Sequence, residues 1–221
     1  MRRLVLALLL SLCGAAGLAQ AEPARVVPAD DPDVAAGWSA YRAGRREEAI
    51  AHYRKAAARN ERVAQFNLAV MLLAGEGGPA DPVAAVDWLR KSANLGFAIA
   101  QYALALLYER GEHVERSQAQ ATNWFQRAAE QGHRDAQVST ATQYFLGRGA
   151  PRDYLEAARW YERAAEQGDE PSAYIVASLY EKGEGVPQDH VRAFYWYSRA
   201  AAGGDPVAVH KAREMRELLV R

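Results

Sequence analysis

Five histidines, at positions 52, 113, 133, 190 and 210, are the side chains of this sequence best suited to proton transfer or metal ligation. None falls into a His-x-x-x-His or His-Glu-x-x-His spacing, the arrangement that puts two imidazoles on one turn of helix and lets them share a metal. Surface histidines are the better account of them. Neither Ser-x-x-Lys nor Gly-x-Ser-x-Gly occurs, which removes the simplest serine-nucleophile signatures. Asp31-Pro32-Asp33 resembles the start of a calcium loop, but Ala36 stands where the loop needs glycine and Arg42 where it needs the closing acid. Helix capping is the expected job of Asp33. Several Gly-x-Gly turns invite a phosphate-loop reading, yet they follow helical patterns and lack the lysine a phosphate would want. No catalytic residue, metal or cofactor is therefore expected, and the chain reads as a non-enzyme.

The ends and the charge narrow the possibilities further. Met1, Arg2 and Arg3 form a positive start, Leu4 to Leu12 is apolar apart from Ser11, and Ala19-Gln20-Ala21 offers a small-x-small cleavage pattern. This predicts a cleavable secretory signal over 1–21 with the cut after Ala21, and a periplasmic or secreted product. The apolar run is shorter than the roughly 20 residues a membrane span requires, so no span is expected once the signal is removed. A lipid anchor at Cys13 is disfavoured by Leu12 before it. Loss of the signal would take Cys13, the single cysteine, and with it any disulfide or thiol chemistry. The 27 Lys and Arg balance 27 Asp and Glu, and removing Arg2 and Arg3 leaves a net charge of −2. That balance gives no sign of nucleic-acid binding.

With chemistry scarce, the elements carry the message. Trp88, Trp124, Trp160 and Trp196 stand 36 residues apart, and Gly96, Gly132, Gly168 and Gly204 keep the same beat. So do Gly75, Gly111, Gly147 and Gly183. A period in the thirties marks one supersecondary unit copied and stacked, because a single copy cannot bury its own apolar face. Residues 63–206 divide into four copies, about 63–98, 99–134, 135–170 and 171–206. Each opens with a helix whose Leu, Ala and Tyr columns share one face, as Leu68, Ala69 and Leu72 do in the first copy. A glycine turn ends that helix. Asp81, Ser117, Asp153 and Asp189 then stand where an N-cap should begin a second helix. Alanines flank its tryptophan, as Ala85 flanks Trp88, leaving a slot for the indole between helices. The second turn, with His113 for glycine and Ser117 for aspartate, is expected to be less regular. Residues 22–32 read as a flexible leader, 33–61 as a tetratricopeptide-like helical hairpin, and 206–221 as a C-terminal capping helix begun by Asp205-Pro206.

The ordered signature Ala-Gln-(aromatic), Leu-x-x-x-Tyr, Gly-x-Gly-x-x-x-Asp, Ala-x-x-Trp and Ala-Ala-x-x-Gly resembles the Sel-one-like repeat, a branch of the tetratricopeptide-type α-solenoids. The resemblance implies an all-α fold: a right-handed α-solenoid of stacked antiparallel helical hairpins that binds other proteins, often in bacterial envelopes. Some members are linked to β-lactam binding or hydrolysis, but those are cysteine-rich and this chain is not. In such stacks the first helices line the concave surface. Their remaining columns then give a partner-binding strip of Trp38, Tyr41, Phe66, Val70, Leu73, Tyr102, Leu106, Phe145 and Tyr174. The alternative is that Phe66, Tyr102 and Tyr174 pack between repeats. An envelope protein or peptide is the expected partner; a peptidoglycan or polysaccharide ligand stacked on the rings is the alternative.

Overall fold

The computed structural model describes residues 31–220, and they are helical throughout. Eleven α-helices run in order among these residues: α1 Pro32–Arg42, α2 Arg46–Ala58, α3 Arg62–Ala74, α4 Pro82–Asn94, α5 Ala98–Arg110 and α6 Gln118–Glu130. They continue with α7 Arg134–Leu146, α8 Tyr154–Glu166, α9 Glu170–Lys182, α10 His190–Ala200 and α11 Pro206–Leu219, with a short 3-10 turn at Ala201–Gly203. The expected signal segment and most of the leader lie outside the described residues. The chain divides into two compact units, with the boundary after Leu104 in the course of α5. Within the first unit α1 packs on α2, α2 on α3 and α3 on α4. Within the second, each helix from α6 to α10 packs on its successor.

The helix starts follow the capping chemistry. Asp81, Ser117, Asp153 and Asp189 each accept a backbone amide of the second helix they precede, at 2.9–3.3 Å, such as Ala84 N to Asp81 Oδ1 at 3.0 Å and Gln120 N to Ser117 Oγ at 3.3 Å. The first helices have caps of their own two residues before the repeat starts given above: Glu61, His133 and Asp169. At the chain's first helix the expectation is corrected. Asp31, not Asp33, caps α1, with Pro32 as the first helical residue, so both belong to the hairpin and not to a leader. Asp33 instead ties α1 to α2, bonding His52 Nδ1 at 2.9 Å and Arg59 Nη2 at 2.8 Å. Arg59 also bonds Asp31, and these partners hold both carboxyls below the usual range: Arg59 chiefly for Asp31, His52 chiefly for Asp33.

The second turn is regular after all. His113 adopts φ 58°, the left-handed conformation that Gly77, Gly149 and Gly185 adopt at the same place with φ 71–77°. The backbone bond from Ser117 N to Tyr108 O, 2.9 Å, matches those from Asp81, Asp153 and Asp189 in the other turns. Histidine is among the residues that visit this region more readily than most, so the turn is kept at some strain.

The alanine columns are closed as expected: Ala69, Ala105, Ala141 and Ala177, and Ala85, Ala121, Ala157 and Ala193, are all 0% exposed. Trp124, Trp160 and Trp196 are buried, while Trp88 is half-buried. Three residues after each comes a cation over its ring: Lys91 at 3.9 Å, Arg127 at 4.6 Å, Arg163 at 4.5 Å and Arg199 at 5.7 Å. The indole thus fills the interior on one side and carries a charged, solvated lid on the other. The glutamine of the Ala-Gln signature also has a structural role. Gln65, Gln101 and Gln137, all buried, donate through Nε2 to the carbonyls of Ala57, Ala93 and Ala129 at the end of the preceding helix. Carbonyls at a helix C-terminus lack intrahelical partners, so each glutamine closes the helix before it.

Candidate functional site

The residues expected to face a partner separate sharply by burial. Phe66, Val70 and Leu106 are 3%, 8% and 9% exposed, which corrects their assignment to an accessible strip. Phe66 instead meets Phe97 edge-on, with centroids 5.5 Å apart. Tyr41 and Leu73 are half-buried and pack against the core formed around Tyr53, Leu68 and Met71. Tyr102 is half-buried on α5.

Trp38, on α1, differs from these neighbours. It is half-buried and outside the set that packs on the first unit's core. One face of its ring stacks on Tyr41, centroids 6.1 Å apart and planes 16° apart, and Arg42 lies 5.7 Å from the indole centre. Tyr41 is in turn fixed by Arg46, whose guanidinium sits 3.7 Å from the ring centre and whose Nε pairs with Glu76 at 3.2 Å. The tyrosine hydroxyl reaches the same carboxylate at 3.5 Å. Restrained arginines and a stacked, half-buried aromatic pair form a surface that can take an apolar or aromatic side chain with little ordering cost.

The second unit presents another kind of face. Phe145 is half-buried and edge-on to Tyr154 and Tyr161, at 5.3 and 6.5 Å. Tyr174 is half-buried and edge-on to Tyr197 at 5.2 Å. Beside these rings run polar contacts. Tyr161 shares a hydrogen bond with Thr142 Oγ at 3.1 Å, and burial pushes the phenol up to about 12. Tyr197 donates to Glu181 Oε2 at 2.6 Å; burial first, then this carboxylate, raises its pKa well above that of a free phenol. Lys211 of α11 reaches the other oxygen of Glu181 at 3.0 Å and Glu214 at 2.9 Å. Its ammonium is held charged by Glu214 foremost, and Glu214 is lowered in return. On α5, Glu109 accepts from the buried Gln143 Nε2 at 2.8 Å.

No assembled acid–base or nucleophile pair emerges from these contacts. Among the described residues no group of three or more His, Cys, Asp or Glu side chains could hold a metal, and no helix is long and apolar enough to cross a membrane. Glu109 and Glu181 fall 36 and 108 residues after Leu73, and this departure from an apolar residue is their only mark in the sequence. Their partners Gln143, Tyr197 and Lys211 lie on other helices, and no spacing rule pairs them.

The Sel1 repeat model matches residues 45–61, 62–97, 98–133, 134–169 and 171–205. The chain belongs to the Sel1 repeat family. The matched phase runs about one residue ahead of the one read from the tryptophans, and it places a partial Sel1 repeat over the second helix of the hairpin expected to be tetratricopeptide-like. A Sel1 repeat protein from Oxalobacter formigenes has a similar structure, with a TM-score of 0.71 and 34% identity over 78% of this chain and 71% of that one. A protective antigen of uropathogenic Escherichia coli with an SLR fold gives a TM-score of 0.72 and 32% identity over 84% of this chain, which spans only 41% of the antigen. No curated protein matches the chain. The fold class is thus the all-helical Sel1 repeat, a family of protein-interaction scaffolds.

Proposed function

We propose that this Sel1 repeat protein is exported to the bacterial envelope and acts there as an adaptor, holding a protein or peptide partner on the face of its first helices. Trp38 carries the reading. It is a large aromatic side chain left partly open, braced by Tyr41, and not engaged in the first unit's core. Aromatic anchors of this kind dominate binding energy when a partner covers them. The scaffold reading is preferred over an enzyme because the tyrosines and carboxylates of the second unit pair with one another and offer no nucleophile with a base. It is preferred over a sugar-binding reading because, among the rings of the strip, Phe66 is buried and Phe145 and Tyr174 are each packed edge-on with a neighbouring tyrosine.

The test is crosslinked capture from envelope extract with residues 22–221, run beside Trp38→Ala. The partner protein taken by the wild type should be lost with the variant while the thermal melt stays unchanged. Equal capture by both forms would defeat the reading, and recovery of peptidoglycan fragments in place of protein would favour the wall-associated alternative. Fractionation with N-terminal sequencing checks the export step: a mature chain beginning at Glu22 is expected.

A further inference from the structure

Gln143 occupies an improbable place. Its column in the other copies holds Met71, Leu107 and Leu179, which are 0%, 0% and 2% exposed; Gln143 itself is 1% exposed. A buried amide in an apolar column is costly unless its polar atoms are matched. Only half of this one is: Nε2 donates to Glu109 Oε1 at 2.8 Å, while Oε1 has no partner. The amide therefore serves a carboxylate at the expense of its own second bond.

Glu109 in turn lacks a countercharge. Among the described residues no cationic nitrogen pairs with its carboxylate, whose bond is to Gln143, and the residue is only half-buried. The same column two copies on shows what the position can hold. Glu181 accepts one hydrogen bond from Tyr197 on one oxygen and the Lys211 ammonium on the other. Lys211 comes from α11, so at Glu181 the protein fills the position with its own lysine. At Glu109 it supplies only the neutral donor, Gln143, and the second oxygen is left without a bonded partner.

We propose that Glu109, oriented by Gln143, receives the ammonium or guanidinium group of a lysine or arginine side chain from a bound peptide, completing the arrangement that Lys211 completes at Glu181. A charge-assisted bond to a half-buried carboxylate selects basic over neutral side chains, and it weakens with salt. The proposal rests on the peptide-adaptor reading for the source of the cation, but not on Trp38.

The test is a titration of the full chain, with side-chain amides labelled for NMR, using the peptide acetyl-Ala-Ala-Lys-Ala-Ala-amide. Its arginine and norleucine counterparts and free cadaverine serve as the other arms. The Gln143 amide signal should shift saturably with the lysine and arginine peptides and stay still with the norleucine peptide. Glu109→Gln should weaken lysine-peptide binding about tenfold without changing the melt, whereas Glu181→Gln, already served by Lys211, should leave it unchanged. Gln143→Leu should raise Tm, as an apolar column member, and still weaken the peptide; a purely structural glutamine would not give that combination. An unmoved Gln143 signal, unaltered binding by Glu109→Gln or by Gln143→Leu, or cadaverine binding as tightly as the peptide would overturn the proposal. Failure here with Trp38-dependent capture intact would leave the adaptor reading standing, and the converse would leave this site without a natural peptide.

Discussion

Helices α3 and α7 hold the same place in two copies of one repeat, yet they are built from opposite materials. In α3 every residue from Val63 to Leu72 is buried, and Leu68, Val70, Met71 and Leu72 make it a core helix. In α7 burial is confined to Ala136, Gln137, Thr140, Ala141 and Gln143. Thr140 stands where Leu68 does, and Gln143 where Met71 does. The fold is kept in both because the constant parts lie elsewhere: the alanine columns, the capped second helices and the tryptophan of the adjoining helix. Free of carrying the core, the third copy can hold polar groups where the first holds only methyls. Departure from an apolar column thus marks where a repeat has placed polar groups without disturbing its frame.

The largest expected effect comes from striking the frame that both copies share. Trp160→Ala should cost ~3–5 kcal/mol in urea unfolding, the range for emptying a large aromatic site. A melt unchanged by this substitution would break the packing account. Giving the first copy the residue of the third comes next. Met71→Gln buries an amide in a helix with no carboxylate beside it and should cost about 3 kcal/mol. If it were neutral, α3 and α7 would not differ in the way described. The reverse exchange, Thr140→Val, removes a buried hydroxyl whose only bond, 2.7 Å to Ala136 O, lies within its own helix. It should gain about 1 kcal/mol, read from the same unfolding curves.

The smallest effect concerns the cap of α7. His133 Nδ1 accepts the Ala136 amide at 3.3 Å, and burial lowers its pKa from the usual 6.5. The neighbours oppose each other, Asp135 favouring and Arg134 disfavouring the charged ring. A lowered folded pKa means the neutral ring is the one the fold prefers. Its contribution is therefore complete above the unfolded value and is lost as pH falls through the folded one. Stability should decline as pH falls from above the unfolded value of 6.5 to below the folded one, and His133→Asn, which keeps the cap without titrating, should flatten that component. Glu61 caps α3 by a carboxylate, so α3 offers the natural control.

Much of the fold could be read from residue spacing. The Trp and Gly columns set the period, and Asp81, Ser117, Asp153 and Asp189 cap the helices they were expected to cap, because an N-cap needs only local chemistry. The start of α1 lies two residues before the cap expected at Asp33. Asp31 and Asp33 both suit a cap by type, and the preference of proline for the first helical position singles out Asp31. The partner-facing strip was the least legible part. A column specifies an angle around a helix, but whether a neighbouring helix covers that angle is decided by packing; hence Phe66, Val70 and Leu106 are buried while Trp38 stays partly open. The pairing of Glu109 with Gln143 was beyond spacing rules altogether, since 34 residues separate them.

The account is tested most directly by a crystal structure of the full chain grown with acetyl-Ala-Ala-Lys-Ala-Ala-amide. It predicts the lysine ammonium within hydrogen-bond reach of the free Glu109 oxygen, with Gln143 Nε2 still on the other. Glu109 bonded to Gln143 alone, with the peptide lysine seated elsewhere, would contradict it.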